Sequence, residues 1–338
     1  MAKFINDFMK SIKSNNMITS IASDGEGAAE FTGCIDTGSY ALNALLSGSI
    51  YGGIPNNKIV MFAGDPATGK TFFVLGICKN FLQQHPEGLV LYYDSEAAVT
   101  KEMMEDRELD TSRVIYSEPE TVEKFHHHAV KVCDAYIADT KTDKPPLLLV
   151  LDSLGALPSD LEVAHSVEGS SKSDLSKSKA IRATFRVLTL RAAKAGIPVL
   201  FTNHVYETMD QYSGKIISGG MGPVFAASTV AMLSKKKEKD GTEVVGNIIH
   251  VKMYKSRISK ENAEVDVKIT YKGGLDKYYG LLDLAEKYDI IKKVSTQYVL
   301  ADGRKVYGKE INENPEAVYT KDILDQLDKA AATEFMYG

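Results

Sequence analysis

The segment Gly64-Asp65-Pro66-Ala67-Thr68-Gly69-Lys70-Thr71 has the spacing GxxxxGK[ST], between the apolar run 58–63 and a stretch with Val74, Leu75, Cys78 and Leu82 at helical spacing. In that setting backbone N–H groups of a glycine-rich turn, together with the positive end of a helix, surround phosphates. Lys70 is then placed to meet the β and γ phosphates, and Thr71 to meet Mg²⁺. Two carboxylates complete a hydrolytic set. Asp152 closes the run Leu147-Leu148-Leu149-Val150-Leu151, where a water-mediated hold on Mg²⁺ is expected, with Ser153 beside it. Glu96, in Tyr92-Tyr93-Asp94-Ser95-Glu96, is placed to orient an attacking water. The expected cofactors are ATP and Mg²⁺, and the expected reaction is hydrolysis of ATP to ADP and phosphate. The plainer alternatives are a helix cap at Asp152 and a solvated loop acid at Glu96.

Such groups need a scaffold that brings separate strand ends together. Residues 58–63, 89–93, 147–151 and 199–202 are short apolar runs separated by helical periods, which predicts an α/β fold with a parallel sheet covered on both faces. Beyond about residue 226 the pattern becomes β-rich. Strands are expected at 229–234, 244–254 and 265–271, the first two joined by a polar turn at 235–241 that contains Asp-Gly. The basic run 235–239 reads as a solubility feature at that hairpin tip. The predicted organisation is an N-terminal oligomerisation arm (1–30), a P-loop ATPase core (31–274) and a small C-terminal α/β segment (275–338). Phe4, Ile5, Phe8 and Ile12 give the arm one apolar face, and the small acidic stretch 23–27 reads as its flexible hinge.

The bulk properties exclude several classes. With 338 residues and 44% hydrophobic content the chain can bury a sizeable core. No apolar run approaches the roughly 18 residues of a membrane span, so a cytosolic protein is expected, without a membrane partner. Cys34, Cys78 and Cys133 form no metal-binding or disulfide pattern, and the consecutive His126-His127-His128 do not share a helical face. The net charge of −5 does not announce a nucleic-acid binder, so any such role needs a local basic patch.

Ordered blocks along the chain carry a family resemblance. Thr37-Gly38-Ser39 with Leu42, Leu45 and Gly52-Gly53-Ile54-Pro55 run into the P-loop. Tyr92-Tyr93-Asp94-Ser95-Glu96, Leu151-Asp152-Ser153, Phe201-Thr202-Asn203-His204, residues 178–186, Gly219 to Pro223 and Lys255-Ser256-Arg257 follow. Together, over roughly residues 30–290, they resemble the RecA family of recombinases, in its T-even phage branch. The resemblance implies a RecA-type core and an ATPase stimulated by DNA. It also implies strand exchange between single-stranded DNA and homologous double-stranded DNA, and self-assembly into a helical filament served by loader and single-strand-binding proteins. If the chain is phage-encoded, its compartment is the bacterial host cytosol. His204 stands where bacterial relatives have Gln, as the γ-phosphate sensor. Lys255 and Arg257 stand where the family reaches the ATP of the neighbouring protomer. Met103 and Thr100 depart from the family's Tyr and acid at the adenine, which leaves base preference open. A RecA-like hexameric helicase and a non-exchanging ATP-binding regulator are the alternatives.

Two polar stretches, 158–173 and 205–222, resemble the two DNA loops of that family. The helix between them is expected to start at Asp174, to bury Ile181, Phe185, Leu188 and Ala192, and to stop at Gly196 and Pro198. On another face Lys179, Arg182 and Arg186 recur at i, i+3 and i+7, a positive stripe suited to a DNA backbone. Gly219 and Gly220 are candidates for backbone contact with phosphates, and turn formation is their plainer role.

Overall fold

The computed structural model describes residues 2–12, 21, 23, 33–141, 143–168, 176–207, 215–240, 243–270, 274–300 and 302–337. A ten-stranded mixed sheet runs through the molecule. Six strands are parallel, in the spatial order Thr229–Asp240, Ile59–Gly64, Val199–Glu207, Leu147–Asp152, Leu89–Asp94 and Val114–Ser117. Glu243–Ser256, Glu264–Thr270 and Gly274–Leu275 extend it antiparallel beyond Thr229–Asp240, and Lys215–Ile217 pairs antiparallel with the end of Val199–Glu207.

Period-two alternation explains why these runs are apolar throughout: each strand feeds both faces of the sheet. Val60 and Phe62 enter the core beneath the helix Lys70–Gln84, whereas Ile59, Met61 and Ala63 enter the opposite core, beneath Val122–Ala138 and Ser176–Ala195. Val90 and Tyr92 divide from Leu91 and Tyr93 in the same way, as do Leu148 and Val150 from Leu149 and Leu151. The first core continues through helix Tyr40–Ser47 into Leu281–Lys287 and Lys321–Phe335, where Leu281, Leu327 and Phe335 join it. Asp328 on the helix Lys321–Phe335 accepts hydrogen bonds from Ser49 Oγ (2.6 Å) and Ile50 N–H (2.9 Å), tying that helix to the turn that follows Tyr40–Ser47.

Three expectations need correction. Residues 158–173 are not all loop. Asp160–Glu168 is helical, because Ser159 and Glu162 form a reciprocal cap: Glu162 N–H donates to Ser159 Oγ (3.1 Å) and Ser159 N–H to Glu162 Oε2 (2.7 Å). Residues 205–222 likewise contain the end of Val199–Glu207, the return strand Lys215–Ile217 and the helix Met221–Ala226, with 208–214 outside the described residues. The turn predicted at 235–241 is strand as far as Asp240, since Lys235 to Asp240 continue the ladder with Glu243–Ser256. The hinge 23–27 and the cap Asp174 also lie outside the described residues, Ser23 excepted.

Helix Ser176–Ala195 buries Ile181, Phe185, Leu188 and Ala192 as its spacing predicts, and Gly196 ends it at φ +68°. Helix Ala2–Ile12 presents Phe4, Phe8 and Ile12 to solvent. Among the described residues no helix is long and apolar enough to cross a membrane.

Candidate nucleotide site

Parallel strands deliver their C-terminal ends to one edge, the usual ligand edge of an open α/β sheet. The register fixes which residues meet there: Gly64 lies opposite His204, and Asp94 opposite Asp152. Gly64 is required by close approach, for a Cβ there would stand 2.6 Å from the carbonyl oxygen of Leu233. The loop then turns through Asp65, Pro66, Ala67 (φ +60°) and Thr68 to Gly69 (φ +86°), so that Lys70 and Thr71 open the helix Lys70–Gln84. Thr68 closes the turn, its hydroxyl donating to Asp65 O at 2.9 Å.

A cleft of about 480 Å³ runs along this loop, lined also by Glu96, Asp152, Met103 and His204. Lys70 is 7% exposed, and its ammonium donates to the carbonyls of Gly64 (3.0 Å) and Asp65 (2.9 Å). Burial pulls its pKa below the usual lysine range, against the charges of Asp152, Glu96 and Asp65. Asp152 is held from beneath: Tyr92 Oη donates to Oδ2 at 2.8 Å and the Thr202 hydroxyl donates to Oδ1. Thr71 and Asp152 supply the hydroxyl and carboxylate oxygens that suit Mg²⁺, an ion often bound by few protein ligands plus substrate phosphates. Among the described residues no cluster of three His, Cys, Asp or Glu forms a metal cage.

Glu96 and His204 are brought into direct contact. His204 Nε2 lies 3.0 Å from Glu96 Oε1, and the Ser153 hydroxyl donates to the same oxygen at 2.6 Å. Burial works to raise the Glu96 pKa, but the bonds from Ser153 and His204, with the charges of His204 and Lys70, hold it below the usual carboxylate range. Such an acid is a weak proton acceptor and a good hydrogen-bond acceptor, suited to orienting a water. His204 is itself fixed, its N–H donating to Asn203 Oδ1 and its carbonyl accepting from Ser218 N–H, both at 2.9 Å. The strand that carries His204 leads within three residues to segment 208–214.

Several positioning groups escape the sequence reading. Asp94, 2% exposed, accepts the N–H groups of Glu96 (2.9 Å), Ala98 (2.9 Å) and Val99 (2.8 Å) and the Tyr116 hydroxyl (2.9 Å), so it shapes the loop that presents Glu96. Its place two residues before Glu96 was the available signal, since Asp commonly accepts the N–H two residues on. Lys215, just after segment 208–214, pairs with the Asp65 carboxylate, a contact between residues 150 apart in sequence that no local pattern reveals. Thr100 caps the short helix Lys101–Glu105 by accepting from Met103 N–H at 3.1 Å. Beside Met103 stands Phe72, with the Arg107 guanidinium 4.1 Å above its ring.

The remaining predicted residues lie elsewhere. Lys255 and Arg257 do not line this cleft. Lys255 Nζ donates to the carbonyls of Val224 (2.7 Å), Phe225 (3.0 Å) and Ala227 (2.7 Å), and Arg257 Nη2 to Phe225 O (3.0 Å), at the C-terminal end of Met221–Ala226. Burial and the neighbouring Arg257 pull the Lys255 ammonium down to about 8, with Glu261 opposing. Lys179, Arg182 and Arg186 are exposed on Ser176–Ala195. Arg182, Arg186 and Arg257 border one groove of about 610 Å³ beside the exposed Leu190 and Phe225, so a predicted DNA face and a predicted interprotomer cation adjoin. Gly219 and Gly220, at φ +78° and +74°, form the tight turn into Met221–Ala226. His128 Nδ1 lies 2.7 Å from the Tyr93 hydroxyl, a structural contact on the far face of the sheet.

Comparison with known proteins identifies the family. The RecA N-terminal domain family matches residues 3–276. A "Recombination and repair protein" of Enterobacteria phage T4 is 31% identical over 252 residues, covering 75% of this chain and 63% of the phage protein. "Protein RecA" of Rhodococcus jostii is 27% identical over 90% of this chain and 84% of its own length, and that of Frankia casuarinae 28% over 87% and 82%. With a match that takes in the P-loop, the strand-end carboxylates and the antiparallel extension, the chain belongs to the RecA family.

Proposed function

We propose that this chain is an ATP-dependent DNA strand-exchange recombinase, active as a helical filament on single-stranded DNA that pairs with homologous duplex. The observation that carries the reading is the contact of Glu96 with His204 at the P-loop mouth, because the same strand that bears His204 continues toward segment 208–214. A terminal phosphate bound by His204 would thereby act on the end of the strand Val199–Glu207.

On this reading Lys70 and the loop amides hold the phosphates of ATP, and Glu96 orients the attacking water. Thr71 and Asp152 would hold Mg²⁺, which supplies charge neutralisation at the phosphates. Lys255 and Arg257 would act on the ATP of the adjacent protomer, where cations stabilise developing negative charge. Their placement outside their own nucleotide cleft supports this division of labour. The helix Ala2–Ile12, with its exposed Phe4 and Phe8, would serve as the oligomerisation arm, residues 31–274 as the core and 275–338 as a C-terminal appendage. Loader and single-strand-binding proteins would act on the filament, in the host cytosol if the chain is phage-encoded. DNA strands would be held by their backbones at Lys179, Arg182, Arg186 and the 219–220 turn, with base complementarity choosing the partner.

A three-strand exchange assay with ATP, paired with electron microscopy of the DNA complex, tests the whole reading. Joint molecules and open helical filaments are expected; closed rings, or DNA-stimulated hydrolysis without exchange, would reject it. Substituting Lys179, Arg182 and Arg186 together by Ala should lower the slope of log affinity against log salt by about 2, from the roughly 0.7 contributed by each phosphate contact on a single strand. An unchanged slope would place the DNA elsewhere. Lys255→Met should abolish ATP-dependent filament growth, read by light scattering. Because Lys255 also binds three carbonyls of its own chain, a modest loss of stability is expected with it, and a fully assembled variant would remove Lys255 from the interface.

A further inference from the structure

Beyond the phosphate end, the cleft runs toward the sheet extension, where it is lined by Phe72, Met103, Ile269, Asn247 and Lys235. The geometry of the strands explains this set. Asn247 lies opposite Ile269, and Ile249 opposite both Lys235 and Val267, so these residues share one face of the extension. Ile249 and Val267 are fully buried in the core beneath the P-loop helix, whereas Lys235, opposite Ile249 on the neighbouring strand, and Asn247, two residues nearer the hairpin tip, line the cleft. A Cβ on Gly69 would stand 3.6 Å from Ile269 Cδ1 and 4.0 Å from Phe72 Cδ2, which places this apolar floor directly beside the phosphate loop.

Among the described residues no hydrogen bond or ion pair engages the side chain of Asn247 or of Lys235, although Lys236, on the opposite face, pairs with Asp266 at 3.5 Å. The carboxylates lining the cleft, Glu96 and Asp152, sit at its phosphate end. The thioether of Met103 and the hydroxyl of Thr100, spent on a helix cap, offer no base-reading carboxylate either.

From this we infer that Asn247 and Lys235 read the nucleotide base, and that the pair admits either purine. An amide presents one donor and one acceptor and can take the N6 and N7 edge of adenine, whereas a lysine has donors only and suits O6 and N7 of guanine. Asn247 is thus the adenine partner and Lys235 the guanine partner, above a floor of Phe72, Met103 and Ile269. The inference rests on the nucleotide-binding reading above and assigns the base specificity of that same cleft.

The test is equilibrium binding of ADP, GDP and inorganic tripolyphosphate, each with Mg²⁺, to the full chain and to two variants. Wild type should bind ADP and GDP with dissociation constants within about fivefold of each other. Lys235→Met should weaken GDP about tenfold and leave ADP nearly unchanged; Asn247→Ala should weaken ADP about tenfold and GDP less, from about 1.4 kcal/mol for each lost recognition contact. Tripolyphosphate should bind all three chains alike. A wild-type preference for ADP above about thirtyfold, or variants that shift both nucleotides equally, would overturn the assignment. If Lys235→Met weakened tripolyphosphate as well, Lys235 would be a phosphate contact and the base reading would fall. Failure of all three ligands on the wild-type chain would instead reject the nucleotide site itself.

Discussion

Glu96→Gln is expected to retain ATP binding and to hydrolyse ATP about 10² to 10³ times more slowly than the native chain, the span by which loss of one preorganised electrostatic contact slows a reaction. Binding should survive because the phosphate-holding groups, Lys70 and the loop amides, are untouched, and because a glutamine oxygen can still accept from Ser153 and His204. What is lost is the negative charge that polarises the water. Single-turnover phosphate release, measured beside equilibrium nucleotide binding, separates the two effects. Hydrolysis within about threefold of native would exclude Glu96 from catalysis. ATP-bound filaments of this variant should also persist, since ATP left unhydrolysed would keep its proposed contacts with Lys255 and Arg257 of the adjacent protomer.

Asp94→Asn should damage the same reaction by another route. The native carboxylate gathers three backbone N–H groups and a tyrosine hydroxyl in a nearly dry site. An amide has one oxygen, and its NH₂ group would face donors that need acceptors. With hydrogen bonds to charged groups contributing roughly 1.5–3 kcal/mol, and unsatisfied buried donors costing about 1–3 kcal/mol each, a loss of about 3–4 kcal/mol is expected. The Glu96 loop should shift with it, and a displacement of about 1 Å is enough to slow chemistry about 10²-fold. Urea titration reads the first effect and steady-state hydrolysis the second. The contrast with Glu96→Gln is diagnostic, for that variant should lose activity at near-native stability. A stable, active Asp94→Asn chain would show that the loop is held by other contacts.

The ordering of these two residues shows how the site is built. Glu96 could be named from its block because the chemistry attaches to a strand end that the apolar run marks. Asp94 carries only the weak local signal of an acid two residues before Glu96, because its other partners are backbone amides of a loop whose path the sequence does not disclose. The same division holds at Asp152. Asp152 was evident from the five apolar residues before it, whereas Tyr92 and Thr202, which hold its two oxygens, come from neighbouring strands and are joined to it only by register.

Local physics determined much of the rest. Short apolar runs marked the central strands within one or two residues at most ends, the P-loop spacing marked the turn between Ile59–Gly64 and Lys70–Gln84, and helical spacing chose the buried face of Ser176–Ala195. Where local rules were read too loosely, as with the Ser159-to-Glu162 cap or the ladder running to Asp240, structure replaced predicted loop. Long-range pairing was decided only by the fold. Gly64 meets His204 because their strands are neighbours, although they are 140 positions apart in sequence. Lys215 finds Asp65 through the return of one hairpin, and Asn247 reaches the cleft because the antiparallel extension packs on the P-loop helix. Sequence spacing reports contacts one turn or one pleat away. The order in which strands lie side by side is set by the packing of the whole core, and that order is what assembled this site.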